Sequence, residues 1–144
     1  MPPTYDDLSG GAPLTRFVVD PSGILAIAVE GLQPKASDEL LAPTLLRSQV
    51  LSILHEAVAR GDLTGEEAQG RLERVDALKI RYLGDRVLRR LAWRIADRQG
   101  WAETYAAEYL ALTQLQGEAL LTMDADLRRR AEGVVRFASL DDLR

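Results

Sequence analysis

The sequence predicts an α/β fold built on a short parallel sheet of four or five strands. Two brief apolar runs, residues 17–20 and 119–124, each lead into an aspartate, and each is followed by a stretch of helical character. Short apolar runs bounded by turn signals are typical of buried strands, and strands that alternate with helices are typical of a parallel sheet. Candidate helices outnumber candidate strands along the rest of the chain, which agrees with a mixed class.

The first half of the chain alternates between strand and helix. Strand one is predicted at residues 16–20, a helix at 23–30, and a very short second strand at 39–41. Pro43 suits a first helical turn, so a long helix is expected from there to Arg60. Apolar residues at helical spacing predict its buried stripe, which consists of Leu46, Val50, Ile53 and Ala57.

The middle of the chain carries clear helix signals. Thr64 and Glu67 have the spacing of a capping box, which predicts the start of the next helix. Residues 79–83 alternate as in a third strand. Asp85 is a favourable N-cap for a helix that stops at Gly100.

The last third repeats the strand and helix alternation. Thr104 is expected to cap a helix, and strand four is expected to end at Thr122. A short helix to Ala131, a fifth strand at residues 134–137 and a helical turn at 140–143 complete the prediction. Together these elements form one α/β domain with a pair of helices inserted before strand four.

Composition limits the possible functions. A chain of 144 residues with 47% hydrophobic and 28% charged residues is expected to form one domain, residues 16–144, preceded by a flexible arm at 1–15. The absence of cysteine excludes thiolate catalysis and zinc–thiolate sites, and His55 is the only histidine. A net charge of -4 argues against non-specific nucleic-acid binding by bulk charge.

The expected location is the cytoplasm. No apolar run approaches the roughly 18 residues of a membrane helix. The N-terminus shows no basic segment followed by an apolar one, so a signal peptide is not expected.

Asp20 and Asp124 are the strongest candidate site residues. Each is predicted at the carboxyl end of a strand, where open α/β sheets bind ligands at the point of reversed strand order. Paired carboxylates there predict a site for a hard divalent cation. Aspartate is also a preferred N-cap, so either residue alone is better explained as the start of a helix, and the site interpretation depends on the pair.

Four segments in the right order resemble the PIN-domain family, in particular the VapC-type toxins of bacterial toxin–antitoxin pairs. They are residues 18–20 (VVD), 41–47 (LAPTLLR), 104–112 (TYAAEYLAL) and 121–124 (LTMD). The resemblance implies a PIN-like three-layer α/β/α fold with strands one and four as neighbours. It also implies a Mg²⁺- or Mn²⁺-dependent endoribonuclease acting on RNA, an antitoxin partner and a homodimer.

The chain departs from the four acidic residues that the resemblance implies. Asp20 and Asp124 match the first and last acidic positions, but the second falls on Gln49 and the third on Ala106. Ala106 therefore marks a site position without its carboxylate, through natural divergence or an introduced change. Two functions stay open: a weakened metal-dependent ribonuclease, or a PIN-like module that binds RNA or protein without catalysis.

Several neighbours are candidates to support the site. Asp126 is a candidate metal ligand, and Thr122 and Glu108 are candidate supporting residues. Gln49 can offer a neutral oxygen or hold water, although it also fits an ordinary boundary residue of the long helix. Glu108 equally fits a solvated or capping carboxylate.

Basic and aromatic residues give a weaker signal for RNA. Guidance of an RNA backbone towards Asp124 is one interpretation of the cluster formed by Arg128, Arg129 and Arg130. Pairing with acids on a solvated face is the ordinary interpretation, both for this cluster and for the one formed by Arg86, Arg89 and Arg90. Trp93 and Trp101 are expected in the core or an interface and not as a stacking platform for bases.

Overall fold

The protein is described by a computed structural model that covers residues 14–144. These residues form an α/β fold around a five-stranded parallel sheet, which confirms the predicted class. The strands are β1 (Thr15–Val19), β2 (Asp38–Pro43), β3 (Ile80–Leu83), β4 (Ala119–Leu121) and β5 (Phe137–Ala138). Their spatial order is β3-β2-β1-β4-β5, so strand order reverses between β1 and β4.

Six α-helices and one 3₁₀ turn connect the strands within the described range. They are α1 (Pro21–Glu30), α2 (Leu45–Ala59), α3 (Gly65–Ala77), α4 (Arg86–Gln99), α5 (Tyr105–Gln116), α6 (Ala125–Arg130) and the 3₁₀ helix Leu140–Leu143. No helix in residues 14–144 has the length and apolar character required to cross a bilayer.

The direction of each crossover decides which face of the sheet a helix covers. Right-handed connections from β1 to β2 to β3 move one way along the sheet and place α1, α2 and α3 on one face. The return to β4 and on to β5 moves the other way and places α4, α5 and α6 on the opposite face. Accordingly, α1 packs on α2 and α3, while α4 packs on α5 and α5 packs on β1, β2 and β4.

The three central strands are buried on both faces. Val18, Val19, Leu41, Leu120 and Leu121 have no exposed surface. A parallel sheet covered by helices on both sides requires such continuous apolar runs. The same burial explains why the apolar runs before Asp20 and Asp124 predict strands.

Local signals place several helix starts where the sequence predicts them. The Asp85 carboxylate accepts a hydrogen bond from the Leu88 amide, 2.8 Å away. Thr64 and Glu67 form the predicted capping box, with both reciprocal hydrogen bonds present. These caps satisfy amides that the first helical turn leaves unpaired.

The start of the long helix differs from the prediction. Pro43 is the last residue of β2, paired in register with Leu83, and α2 begins two residues later. The proline is tolerated because the end of a strand needs no donor there. Within α2, Leu54 is buried and Ile53 is 39% exposed, so the predicted stripe was wrong at Ile53.

Three further boundaries differ. Thr104 precedes α5 but makes no side-chain capping bond, because its backbone is already helical there. The fifth strand lies at Phe137–Ala138 instead of residues 134–137. Thr15 belongs to β1, which shortens the predicted arm, and residues 1–13 of that arm lie outside the described residues.

Candidate functional site

The reversal of strand order brings Asp20 and Asp124 to the same edge of the sheet. Asp20 directly follows β1, and Asp124 lies three residues after the end of β4. Val19 pairs with Leu121 in parallel register, and the Asp20 amide donates to the Leu121 carbonyl at 3.3 Å. Sequence-distant residues therefore meet at the carboxyl ends of two neighbouring strands.

The Asp20 carboxylate is buried and fully engaged in hydrogen bonds. It is only 5% exposed. Its Oδ1 atom accepts from the Gly23 amide and the Ser22 hydroxyl, each at 2.8 Å. Its Oδ2 atom accepts from the Thr122 hydroxyl at 2.5 Å. Within residues 14–144, no basic side chain forms an ion pair with it.

Two hydroxyls connect the strand ends. Thr122 Oγ1 donates to Asp20 and accepts from the Asp124 amide at 3.0 Å. Ser22 Oγ donates to Asp20 and accepts from the Met123 amide at 2.9 Å. The predicted support by Thr122 thus corresponds to a direct link between the aspartates. Ser22 was not predicted, although a hydroxyl at the second position of the helix after Asp20 was a usable signal.

Asp124 is exposed and uses only one of its oxygens. Oδ1 caps α6 by accepting from the Asp126 and Leu127 amides, at 2.9 and 3.1 Å. Oδ2 accepts no hydrogen bond from any residue between 14 and 144. Asp20 likewise caps α1 through Oδ1. Each aspartate therefore caps a helix with its Oδ1 atom only. Capping is compatible with a site role because the Oδ2 atom takes no part in the cap.

Burial raises the pKa of the Asp20 carboxyl. Hydrogen bonds from Thr122, Gly23 and Ser22 oppose that increase, and the nearby negative charge of Asp124 adds to it. A raised pKa in a buried carboxyl with an acidic neighbour and no ion-pairing base is the electrostatic setting that a bound cation would relieve.

The side chain of Gln49 is held by Tyr109. Its Oε1 atom accepts a hydrogen bond from the Tyr109 hydroxyl at 2.5 Å, which joins α2 to α5. Burial raises the pKa of Tyr109 well above its ordinary value, and the charge of Asp20 contributes to the increase. Tyr109 therefore stays protonated as a donor. It was not predicted, although it lies three residues after Ala106 on the same helix face.

The third acidic position supplies no ligand. Ala106 is partly buried at the start of α5 and packs against the core. Burial raises the pKa of the nearby Glu108 carboxyl, and the Arg89 guanidinium lowers it. Glu108 is not among the groups that shift the pKa of Asp20. The structure thus places Glu108 towards α4, and its supporting role remains a prediction.

Asp126 and the arginines of α6 are occupied with one another. Arg129 donates to one oxygen of Asp126, and Arg130 Nε donates to the other at 2.8 Å. Arg128 donates to the Ala138 carbonyl at 2.6 Å and lies over the Phe137 ring. A metal role for Asp126, or an RNA contact by these arginines, would require these interactions to open.

The fit of the site to a divalent cation is modest. Across residues 14–144, no group of three or more histidine or acidic side chains lies close enough together to bind a metal ion. Magnesium nevertheless keeps several waters and is often bound through one or two carboxylates together with substrate phosphates. Two carboxylates are available here for such binding. Asp20 has no ion partner in this range, and the Oδ2 atom of Asp124 accepts no hydrogen bond within it.

Comparison with solved structures supports a PIN-like fold. PAE2754 from Pyrobaculum aerophilum is 23% identical, with 92% of this chain and 95% of that chain covered and a TM-score of 0.68. VapBC2 from Rickettsia felis, crystallised with a DNA fragment from its promoter, is 11% identical, with 87% and 98% covered and a TM-score of 0.53. No family model and no curated protein matches this chain. At these identities the similarity shows the fold.

Proposed function

We propose that this protein is a divalent-metal-dependent endoribonuclease of the PIN, VapC-like type, with a site weakened by Gln49 and Ala106. The observation that carries the proposal is the convergence of Asp20 and Asp124 at the switch point between β1 and β4, with Thr122 bonded to both. Ligands bind in this crevice in open α/β sheets. The fold shared with VapBC2 supports the same class of activity.

Asp20 and Asp124 would hold Mg²⁺ or Mn²⁺, and Asp126 could join them if its arginine pairs opened. Bound there, the ion would neutralise phosphate charge and make water more acidic, which is the chemistry that RNA hydrolysis requires. Thr122 and Ser22 keep the Asp20 carboxylate in a fixed orientation through their hydrogen bonds. Gln49 offers a neutral oxygen that Tyr109 already occupies.

The test restores the missing carboxylates. Ala106→Asp, alone and with Gln49→Glu, adds negative charge to the site, and affinity for hard cations rises with ligand charge. We expect Mn²⁺ affinity in calorimetric titration to rise by about tenfold or more. We also expect cleavage of labelled single-stranded RNA to rise in parallel, while Asp20→Asn removes both.

Two outcomes would count against this function. The first is that the unchanged chain neither binds Mn²⁺ nor cleaves RNA, and that the variants with added carboxylates do not cleave RNA either. The other is cleavage that persists in Asp20→Asn, since a contaminating nuclease would then account for it. Gln116→Glu, which adds the same charge at an exposed position at the other end of α5, serves as the matched control.

The second candidate is a PIN-like module that binds RNA or a protein without cleaving it. The occupied oxygen of Gln49 and the methyl group of Ala106 favour it, since half of the expected carboxylates are absent. This function predicts RNA or partner binding that is the same in EDTA and in Mn²⁺. The metal titration therefore separates the two candidates.

The proposed partners follow from an exposed apolar surface on α2. Leu51 is 57% exposed and lines a groove of about 520 Å³ between α2, α3 and β3. An antitoxin segment or a second copy of this chain would bury such a surface. Light scattering of the purified chain tests the homodimer, and Leu51→Glu is expected to dissociate it. The cytoplasm remains the proposed location.

A further inference from the structure

One surface of α4 combines exposed arginines with an exposed tryptophan. We call it the arginine face and define it by Arg86, Arg89, Arg90, Trp93 and Arg94, all of which are exposed. The buried side of the same helix consists of Leu88, Ala92, Ile95 and Ala96. The core contact of α4 therefore directs the arginine face away from the molecule.

The arginines of this face form no close contacts within the described residues, although Arg89 lies near the Glu108 carboxylate. Between residues 14 and 144, none of the four forms an ion pair, a hydrogen bond or a ring contact. The face is solvated, as expected, but Arg86 and Arg90 lack the expected acidic partners in this range, and Arg89 has the Glu108 carboxylate nearby. This contrasts with the α6 cluster, in which Asp126 accepts from Arg129 and Arg130.

Trp93 differs from the other tryptophan of the chain. It is 66% exposed, whereas Trp101 is partly buried and lies under the Arg130 guanidinium, 5.0 Å from its ring centre. Trp93 was expected in the core or an interface, and its exposure contradicts only the core. Large aromatic side chains are seldom this exposed on ordinary protein surfaces. They are enriched on surfaces that bind a partner.

Helical spacing gathers these groups into one strip. Arg86, Arg90 and Arg94 follow at intervals of four residues, and Trp93 lies three residues after Arg90, so they share a side of the helix. At 1.5 Å per residue the strip is about 12 Å long. It thus presents three guanidinium groups and one aromatic ring along a single line, with the exposed Asp97 carboxylate at its C-terminal end.

We propose that the arginine face binds single-stranded nucleic acid, with Arg86, Arg90 and Arg94 on phosphates and Trp93 stacked on a base. Cationic grooves with interleaved aromatic rings are the general means of binding single strands, since every base has a π-face. The choice of RNA over DNA rests on the proposed function. The binding itself does not require cleavage.

The first turn of α4 brings one residue of the arginine face near the start of α5. Arg89 lies near enough to Glu108 to lower the pKa of its carboxyl, although burial raises that pKa by more. Helix α4 packs against α5, the helix that carries Ala106 and Tyr109. The arginine face therefore lies on the same helical layer as these two residues.

An acidic protein segment is the competing occupant. It would satisfy the arginines but gain little from Trp93, which offers no charge. The combination of unpaired guanidinium groups with a ring exposed among them favours a polyanion that carries planar bases. The chain as a whole has a net charge of -4, so the attraction must be local to α4.

The test measures binding in EDTA, where cleavage does not contribute. Fluorescence anisotropy with a labelled oligouridylate of about 12 nucleotides is compared with the same length of single-stranded DNA. We expect Trp93→Ala to weaken RNA binding by about 5- to 150-fold and Trp93→Phe to retain most of it. We expect the triple variant R86Q/R90Q/R94Q to reduce the slope of log K against log salt by about 2.

A matched control separates the arginine face from general charge. R60Q/R74Q/R136Q removes the same charge from exposed positions on other elements and is expected to leave the salt slope nearly unchanged. Thermal unfolding of every variant verifies that it folds. DNA bound as tightly as RNA would support the face while removing the preference for RNA.

Three results would overturn the inference. The first is no RNA binding by the unchanged chain at about 50 mM salt. The second is equal binding by the triple variant and its control. The third is loss of a dimer in Trp93→Ala without any change in RNA binding, which would assign the face to a second copy. Tight RNA binding without Mn²⁺-dependent cleavage would instead contradict the proposed enzyme and leave the arginine face standing.

Discussion

At the scale of single residues, Asp20 combines two demands that oppose each other. Its carboxylate is buried, which disfavours the charge, and it accepts three hydrogen bonds, which favour the charge. The net result is a raised pKa, because burial is the larger effect. Residues with such a conflict are often retained for function at a cost in stability.

The cost of Asp20 predicts a pH-dependent effect of Asp20→Asn on stability. Because the folded-state pKa exceeds the unfolded value of 3.8, ionisation destabilises the folded state as pH rises above that value. We expect the variant and the unchanged chain to have similar free energies of unfolding at about pH 3. At about pH 7 we expect the variant to be the more stable of the two, as measured by urea denaturation in EDTA.

Asp97→Asn is the matched control for this experiment. Asp97 is exposed on α4 and forms no ion pair or hydrogen bond through its side chain with residues 14–144, so the change removes the same charge from the surface. Its effect should not grow with pH in the same way. A variant Asp20→Asn that is less stable than the unchanged chain at neutral pH would show that the hydrogen bonds outweigh burial.

At the scale of elements, the site depends on how closely α1 approaches β4. Gly23, in the first turn of α1, lies against the Leu121 carbonyl, and a Cβ atom there would be 2.3 Å from that oxygen. The same turn carries the amide that Asp20 accepts. The absence of a side chain at Gly23 thus permits both the contact between helix and strand and the orientation of the carboxylate.

We expect Gly23→Ala to lower the free energy of unfolding by about 1–3 kcal/mol, because the methyl group must displace backbone. Gly70→Ala is the control, since a Cβ atom at that position of α3 meets nothing within 4 Å. That change should raise stability by about 0.5–1 kcal/mol through helix propensity. Chemical denaturation measures both, and a stable Gly23→Ala variant would show that α1 can shift away from β4.

At the scale of the whole molecule, one sheet serves both helical layers. Strands β1, β2 and β4 contact α5 on one face, and β1 and β2 contact α1 and α2 on the other. The buried residues of both layers belong to one core. Neither layer can lose its contacts without exposing the central strands, so the described range should behave as one folding unit.

We expect residues 14–144 to unfold in a single cooperative transition. Trp93 and Trp101 report on the α4–α5 side, whereas far-ultraviolet circular dichroism reports on all helices. Coincident curves from both signals, with equal calorimetric and van't Hoff enthalpies, are the expected result. An earlier fluorescence transition would instead indicate that α4 and α5 unfold separately.

Local chemistry explains what could be predicted. Helix caps and buried strands depend on residues close in sequence, so the sequence predicts them. Examples are the caps at Asp85 and Thr64 and the strands around Val18 and Leu120. Pro43 was misassigned because a proline suits both the first turn of a helix and the end of a strand. Only the pairing of β2 with β3 decides between them.

The sequence alone predicted the α/β class and the positions of Asp20 and Asp124 after two strands, and it shows directly that residues 49 and 106 carry no carboxylate. The tertiary structure decided which side chains those positions contact. In the structure, Thr122 connects the aspartates, the Tyr109 hydroxyl donates to the oxygen of Gln49, and Arg86, Arg90 and Arg94 form no ion pair with residues 14–144. The physical reason is that hydrogen bonds, burial and ion pairs depend on distances between residues far apart in the chain.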